Sequence, residues 1–144
     1  MKLESIPVQV TGPASGMPSA ILMEIAEMLT QLAEKEVSGA INLRSLPLSE
    51  EDRTRLEDRL GHGEVSAQLD VAGTTEVWET SYPGVWWIRH RGGDGRIAAE
   101  EIAVTHVPEF LMSPKEDICA AAARINAEMH PTETSASEEE ALHV

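Results

Sequence analysis

The chain holds one cysteine, Cys119. That excludes an intrachain disulfide and leaves no thiolate set for a structural zinc or iron-sulfur site within one copy. A reducing compartment, the cytoplasm, is the expectation. Basic side chains are also few, 11 against 25 acidic ones, for a formal charge of -14. Such an excess disfavours nonspecific binding to nucleic acid or anionic membrane and suits either a basic partner or plain solubility. No apolar run approaches the ~20 residues that cross a bilayer, and Met1 to Pro7 does not lead into a signal-peptide core. Aromatic residues are scarce too: three Trp, one Tyr and one Phe among 144 residues. Every Trp and the Tyr fall between Glu76 and His90.

What is present is a patterned chain of single-domain length. Residues 1–19, with Pro7, Gly12, Pro13, Gly16 and Pro18, read as a flexible leader in which Ile6 to Val10 alternates enough for a short edge strand. From Ala20 to Glu36, Ile21, Leu22, Ile25, Met28, Leu29 and Leu32 recur at helical spacing, with Ser19 as the expected cap. Ala40 to Leu48 crosses the fold as an extended segment anchored by Ile41, Leu43, Leu46 and Leu48. Ser49-Glu-Glu-Asp52 has the spacing of a capping box and opens a second helix, Glu50 to Leu60.

The period then changes to two. Val65, Ala67, Leu69 and Val71 alternate with polar residues as in a half-buried strand, and Thr74 to Thr80, Val85 to His90 and Ile97 to Val104 follow across short turns. Gly73, Tyr82-Pro83-Gly84 and Gly92-Gly-Asp-Gly95 supply those reversals, the second suited to a type II turn. Four strands without room for crossover helices predict an antiparallel meander. Ser113-Pro-Lys-Glu116 reads as the capped start of a third helix with Ile118, Ala122, Ile125 and Met129 on one narrow apolar face. Residues 131–144 carry four glutamates and no lysine or arginine, the composition of a disordered acidic tail. The expected fold is α+β, a four-stranded antiparallel meander with helices packed on one face, as a single domain over residues 20–130.

Because Trp86 and Trp87 are adjacent on one strand, their side chains leave opposite faces. If one meets the helices, the other faces outward, where charged neighbours make a protein-binding surface. The partner-binding candidates are Glu76, Trp78, Tyr82, Trp86, Trp87, Arg89 and His90; the alternative is that all the tryptophans pack for stability. Glu76, Glu79, Glu100 and Glu101 could meet as an acid-base pair, but alternating solvent-facing glutamates explain them more simply. His62, His90 and His106 lack a metal-ligand spacing, and Cys119 reads as a semi-buried small side chain. No glycine-rich loop opens a helix and no serine has a histidine-acid setting. Neither a catalytic site, a metal nor a cofactor is expected.

Leu46 to Arg53, Gly61 to Ala67, Thr75 to His90 with its Trp-Glu-Thr and Trp-Trp elements, and Glu101 to Phe110 resemble the C-terminal domain of the HupH/HyaF family of nickel-iron hydrogenase expression and formation proteins. The resemblance runs from about Ile41 to Arg124. It implies a cytoplasmic, noncatalytic accessory factor in hydrogenase maturation that binds a precursor subunit, the small iron-sulfur-carrying one, with no catalytic residues to carry over. Family members are longer ahead of this signature, which makes a homodimer in place of the longer chain one expectation. A maturation enzyme with a shallow Glu/His site and a self-associating structural protein are the alternatives.

Overall fold

The computed structural model describes residues 15–131. The leader before residue 15, with the strand expected at Ile6 to Val10, and the tail after residue 131 lie outside the described residues. Two compact units divide after Pro108.

In the first unit, helix α1 spans Met17–Lys35, starting three residues before the expected Ala20. Pro18 lies in its first turn, where a missing N-H costs nothing, and Gly16 holds the cap position without a side-chain bond. Ser19 therefore sits inside the helix and does not cap it. The anchoring comes from Ser15, whose hydroxyl accepts the Met17 N-H at 3.1 Å and donates to Asp52 Oδ2 at 2.8 Å.

Asp52 opens α2, Glu50–Leu60, through the expected capping box: Ser49 Oγ accepts the Asp52 N-H, and Asp52 accepts the Ser49 N-H. The carboxylate also accepts the Ser15 N-H at 2.8 Å, so one fully buried side chain ties together the starts of both helices. Burial pushes its pKa up, but the donors from Ser15 and Ser49 outweigh burial and hold it below the usual aspartate value. A depressed folded-state pKa contributes stability that is present above the unfolded aspartate pKa and lost as pH falls through the lower folded one. Asp52→Asn is expected to cost about 1–3 kcal/mol at pH 7, the penalty for weakened buried hydrogen bonds. Its urea midpoint should also fall less steeply below pH 4 than that of the parent; parallel acid profiles of the two proteins would contradict this.

The meander forms as read, but among the described residues the sheet has five strands, which corrects the four-stranded expectation. Strand β1, Gly39–Asn42, is followed by a 3-10 turn, Leu43–Ser45. Then come β2, Ser66–Asp70; β3, Thr74–Glu79; β4, Val85–Arg91; and β5, Ile97–Val104. Their order is β1-β5-β4-β3-β2. β1 pairs antiparallel with β5, Ile41 opposite Ile102. The extended segment that carries it was legible. Its pairing was not, because four residues with one buried side chain display no alternation. Gly84, at φ 89, takes the third position of the turn closed by the Val85 N-H on Tyr82 O, the type II geometry expected there.

One side of the sheet meets the helices. Ile41, Trp78, Val85, Trp87, Ile102 and Val104 pack with Ile21, Ile25 and Leu32 of α1 and Leu56 and Leu60 of α2. No β2 residue joins this core, and all of β2 but the half-buried Leu69 is exposed. The half-buried strand expected there is thus an exposed edge, with Val65 and Val71 in solvent.

In the second unit a short turn, Glu109–Leu111, precedes α3, Lys115–Met129. Its cap position is Pro114, with no side-chain cap bond, so the cap expected from Ser113 is absent. Ile118, Ile125 and Met129 are exposed. Cys119 is exposed as well, not semi-buried.

Candidate functional site

Two neighbouring rows of side chains cross the helix-facing side of β3, β4 and β5. The pairing sets Trp78 opposite Trp87 and Trp87 opposite Ile102, while Glu76 faces Arg89 and Arg89 faces Glu100. Side chains directly opposite on one face interact across strands, so the register alone produces an aromatic row beside an acid-base-acid row. The rings of Trp78 and Trp87 stack with centroids 5.8 Å apart. His62, on the loop after α2, continues the stack over Trp78 at 4.8 Å and 6° between planes.

Arg89 binds the two rows together. Its guanidinium carbon lies 5.3 Å from the Trp78 ring centroid and 5.9 Å from that of Trp87, a cation-π arrangement. Its Nε donates to Glu100 Oε2 at 2.7 Å and its Nη2 to Glu57 Oε1 at 3.1 Å. Burial alone would lower the Arg89 pKa, but Glu100 and then Glu57 more than reverse this, so the pKa is raised and the group stays charged.

Glu100 is the inner anchor. Its side chain is fully buried, so the solvent-facing reading of this glutamate is corrected. Oε2 also accepts the Trp87 indole N-H at 2.8 Å. Oε1 lies 2.9 Å from Arg53 Nε without a directional hydrogen bond, leaving that contact mainly Coulombic. The strand period placed Glu100 on the same face as Ile102, but only the helices show that this face is closed. Arg53 carried no sequence signal beyond lying on α2.

Where the core stops before β2, a cleft of about 510 Å³ opens, lined chiefly by Glu57, His62, Ser66, Gln68, Glu76 and Trp78, with Arg89 at its wall. Trp78 has no acceptor for its indole N-H among the described residues. Glu76 stands 4.0 Å from Arg89 and 3.9 Å from Arg91, distances that leave its carboxylate weakly engaged.

Of the partner-binding candidates, Glu76, Trp78, Trp87 and Arg89 come together here. Trp86 and His90 point to the other face, as alternation requires. There Trp86 donates to Thr105 O at 3.2 Å and His90 Nδ1 lies 2.7 Å from Thr75 Oγ1. Tyr82 is half exposed in the β3-β4 turn, away from the cleft. The expected outward-facing indole does not occur. Trp78, Trp86 and Trp87 are 7%, 4% and 0% exposed, and Val77 and Ala103 beside Trp86 are buried too. The second face is buried around Trp86, while Ala99 and Asn42 on it are exposed and Ile88, His90 and Glu101 partly so. Glu57 and the edge residues Ser66 and Gln68 carry no site signal in the sequence, and His62 stands out there only as a potential metal ligand. His62's position just after the helix-stopping Gly61 was the available hint.

Glu76 and Glu79 are not brought to His90 or His106, whereas His62 Nε2 lies 3.8 Å from Glu57 Oε2 in the lining of the cleft. Glu76 and His90 lie on opposite faces, Glu79 accepts the Gly84 N-H at 3.3 Å, and His106 lies 2.9 Å from Glu36. Among the described residues no group of three or more His, Cys, Asp or Glu side chains is placed to hold a metal ion, and no helix is long and apolar enough to cross a membrane.

Residues 17–131 match the model of the HupH hydrogenase expression protein, C-terminal conserved region. The chain belongs to this family. Within the family it is similar to the hydrogenase expression/formation protein HoxQ of Azotobacter vinelandii, 31% identical over 107 residues, which cover 73% of this chain and 38% of that protein. It is likewise similar to HupH of Rhodobacter capsulatus, 35% identical over 104 residues, covering 70% and 38%. The chain thus spans about two-fifths of the length of these curated relatives. The solved structure of the hydrogenase expression protein HupH from Thiobacillus denitrificans superposes with a TM-score of 0.77 at 42% identity, covering 80% of this chain and 96% of that one. The family match extends well ahead of the resemblance read from about Ile41, taking in the whole of α1.

Proposed function

We propose that this domain is a noncatalytic accessory factor of nickel-iron hydrogenase maturation, acting in the cytoplasm. It holds a hydrogenase precursor, the small iron-sulfur-carrying subunit, at the cleft between α2 and the β2-β3 side of the sheet. Family membership supports the process. The observation that carries the location is the His62-Trp78-Trp87 stack, braced by Arg89 and ending at a cleft where the core stops.

The braced geometry suits capture. Trp78 is held by Trp87 beneath it and Arg89 beside it, so a partner that packs on the exposed His62 ring meets a preorganised aromatic stack and loses little ordering entropy. Buried aromatic anchors rimmed by charge are the usual composition of binding hot spots. The acidic rim would orient the partner and set its encounter rate more than its final affinity.

Co-purification of the tagged chain from cells that make the hydrogenase tests this reading. The wild-type chain should retain an immature hydrogenase subunit, and His62→Ala, at an exposed ring, should weaken retention by about ten-fold, or ~1.4 kcal/mol, with the thermal midpoint unchanged. Absence of any hydrogenase subunit from wild-type eluates, across cells blocked at different stages of maturation, would overturn it.

A further inference from the structure

We propose that the cleft receives an extended peptide segment that adds to the sheet as a sixth strand along β2 and places a basic side chain between Glu57 and Glu76. The inference rests on the capture reading above and names the chemistry of what is captured.

The first observation is an edge that no strand among the described residues covers. β2 is terminal in the sheet order, its five residues are exposed or nearly so, and its pairing with β3 is regular from Ser66 opposite Trp78 to Asp70 opposite Thr74. The Glu79 N-H bonds to Val65 O. Alternation from there gives Ala67 and Leu69 to β3 and turns the backbone N-H and C=O of Ser66, Gln68 and Asp70 outward. Natural edges are normally blunted by lysine, proline or a bulge. Ser66-Ala-Gln-Leu-Asp70 has neither residue, and its ladder to β3 has no register shift. Such an edge accepts a strand through main-chain bonds, with side-chain pockets supplying specificity.

The second observation is where the edge lies. Ser66 and Gln68 line the same cleft as Glu57, Glu76 and Trp78, so every second side chain of an added strand would enter it. The cation already there is committed: Arg89 pairs with the buried Glu100, which it shares with Arg53, and also bonds to Glu57. Glu76 is weakly engaged, and Glu64 and Asp70 are exposed at the two ends of the edge. A lysine or arginine side chain fits this set, its charge between two carboxylates and its stem along the Trp78-His62 stack. A second copy is the less suitable occupant, since pairing β2 with itself would bring together two chains of formal charge -14.

The test is titration of the isotopically labelled full chain with short acetylated, amidated peptides of alternating threonine and valine, followed by backbone amide NMR. The central residue is lysine in one peptide and glutamate in another; a third has the lysine peptide's edge-facing amides N-methylated. The lysine peptide should shift the Ser66 to Asp70 amides and bind at least about ten-fold more tightly than either of the others. Gln68→Pro, which removes an outward N-H and leaves the bonds to β3 in place, should abolish those shifts, and Glu76→Gln should weaken the lysine peptide several-fold. No binding, equal binding of lysine and glutamate peptides, or shifts confined to other strands would overturn the proposal. So would a dimer in sedimentation that Gln68→Pro dissociates, which would assign the edge to a second copy. Should Gln68→Pro still retain the hydrogenase precursor from cells, strand addition fails while the capture reading stands; loss of precursor binding by the wild-type chain removes the capture reading itself.

Discussion

Replacement of Glu100 by alanine is expected to remove about 3–5 kcal/mol of folding stability, the cost of breaking a buried ion pair from one side. Glu100 is 2% exposed and meets Arg53 Nε, Arg89 Nε and the Trp87 indole N-H at 2.9, 2.7 and 2.8 Å. Alanine would leave two guanidinium groups facing each other and an indole donor without an acceptor. The large figure measures this orphaning and not the net value of the network, because desolvating Glu100 costs several kcal/mol in the first place. Glu100→Gln, which keeps an acceptor but removes the charge, should lose less. Combining Glu100→Leu with Arg53→Met and Arg89→Met should recover most of the stability while removing the charge at the cleft wall. Urea unfolding followed by tryptophan fluorescence measures all three; a loss below about 1 kcal/mol for Glu100→Ala would mean that water reaches the site and that Glu100 is not the closed anchor described.

Trp87→Ala is expected to cost a comparable ~3–5 kcal/mol, the range for deleting a large buried aromatic side chain. Trp87 has no exposed surface and lies at the centre of both rows, stacked on Trp78 and bonded to Glu100. Trp87→Phe keeps an apolar ring and forfeits the N-H, so about 1–2 kcal/mol is expected. Because Trp87 and Glu100 touch, the double variant should lose less than the two single losses combined. Strict additivity in that cycle would contradict a shared network. Trp87→Phe should also loosen Trp78, visible as greater quenching of indole fluorescence by acrylamide, whereas unchanged quenching would mean that Trp78 is held by other contacts.

Legibility in the sequence followed the length of the pattern. The four meander strands and the Ser49-Asp52 box are local signals, each repeated over several residues, and they appear where expected. β1 failed to announce itself because Gly39 to Asn42 becomes a strand only through β5, more than fifty residues later. At Ser113 the local signal misled: serine, proline and glutamate stand at cap spacing, yet Pro114 takes the cap position and no hydroxyl bond forms. For the site, two of the three tryptophans and Arg89 were found from their density in one stretch, but their exposure was not legible. Alternation assigns side chains to faces and is silent on whether a face is covered. Glu100 illustrates the same gap from the polar side, since a glutamate in a strand reads as solvated until Arg53, from another element, closes over it. Glu57 and His62 belong to the cleft only because α2 ends above the β2-β3 side of the sheet, a consequence of packing.

The central claim is that a hydrogenase precursor docks at this cleft, and a photoactivatable crosslinking residue in place of His62 tests it most directly, in the full chain within cells that make the hydrogenase. The account predicts one major adduct containing an immature hydrogenase subunit, lost when the chain also carries Gln68→Pro. Capture of that subunit from position Tyr82 or Ile125, with none from His62, would place the docking surface elsewhere and contradict it.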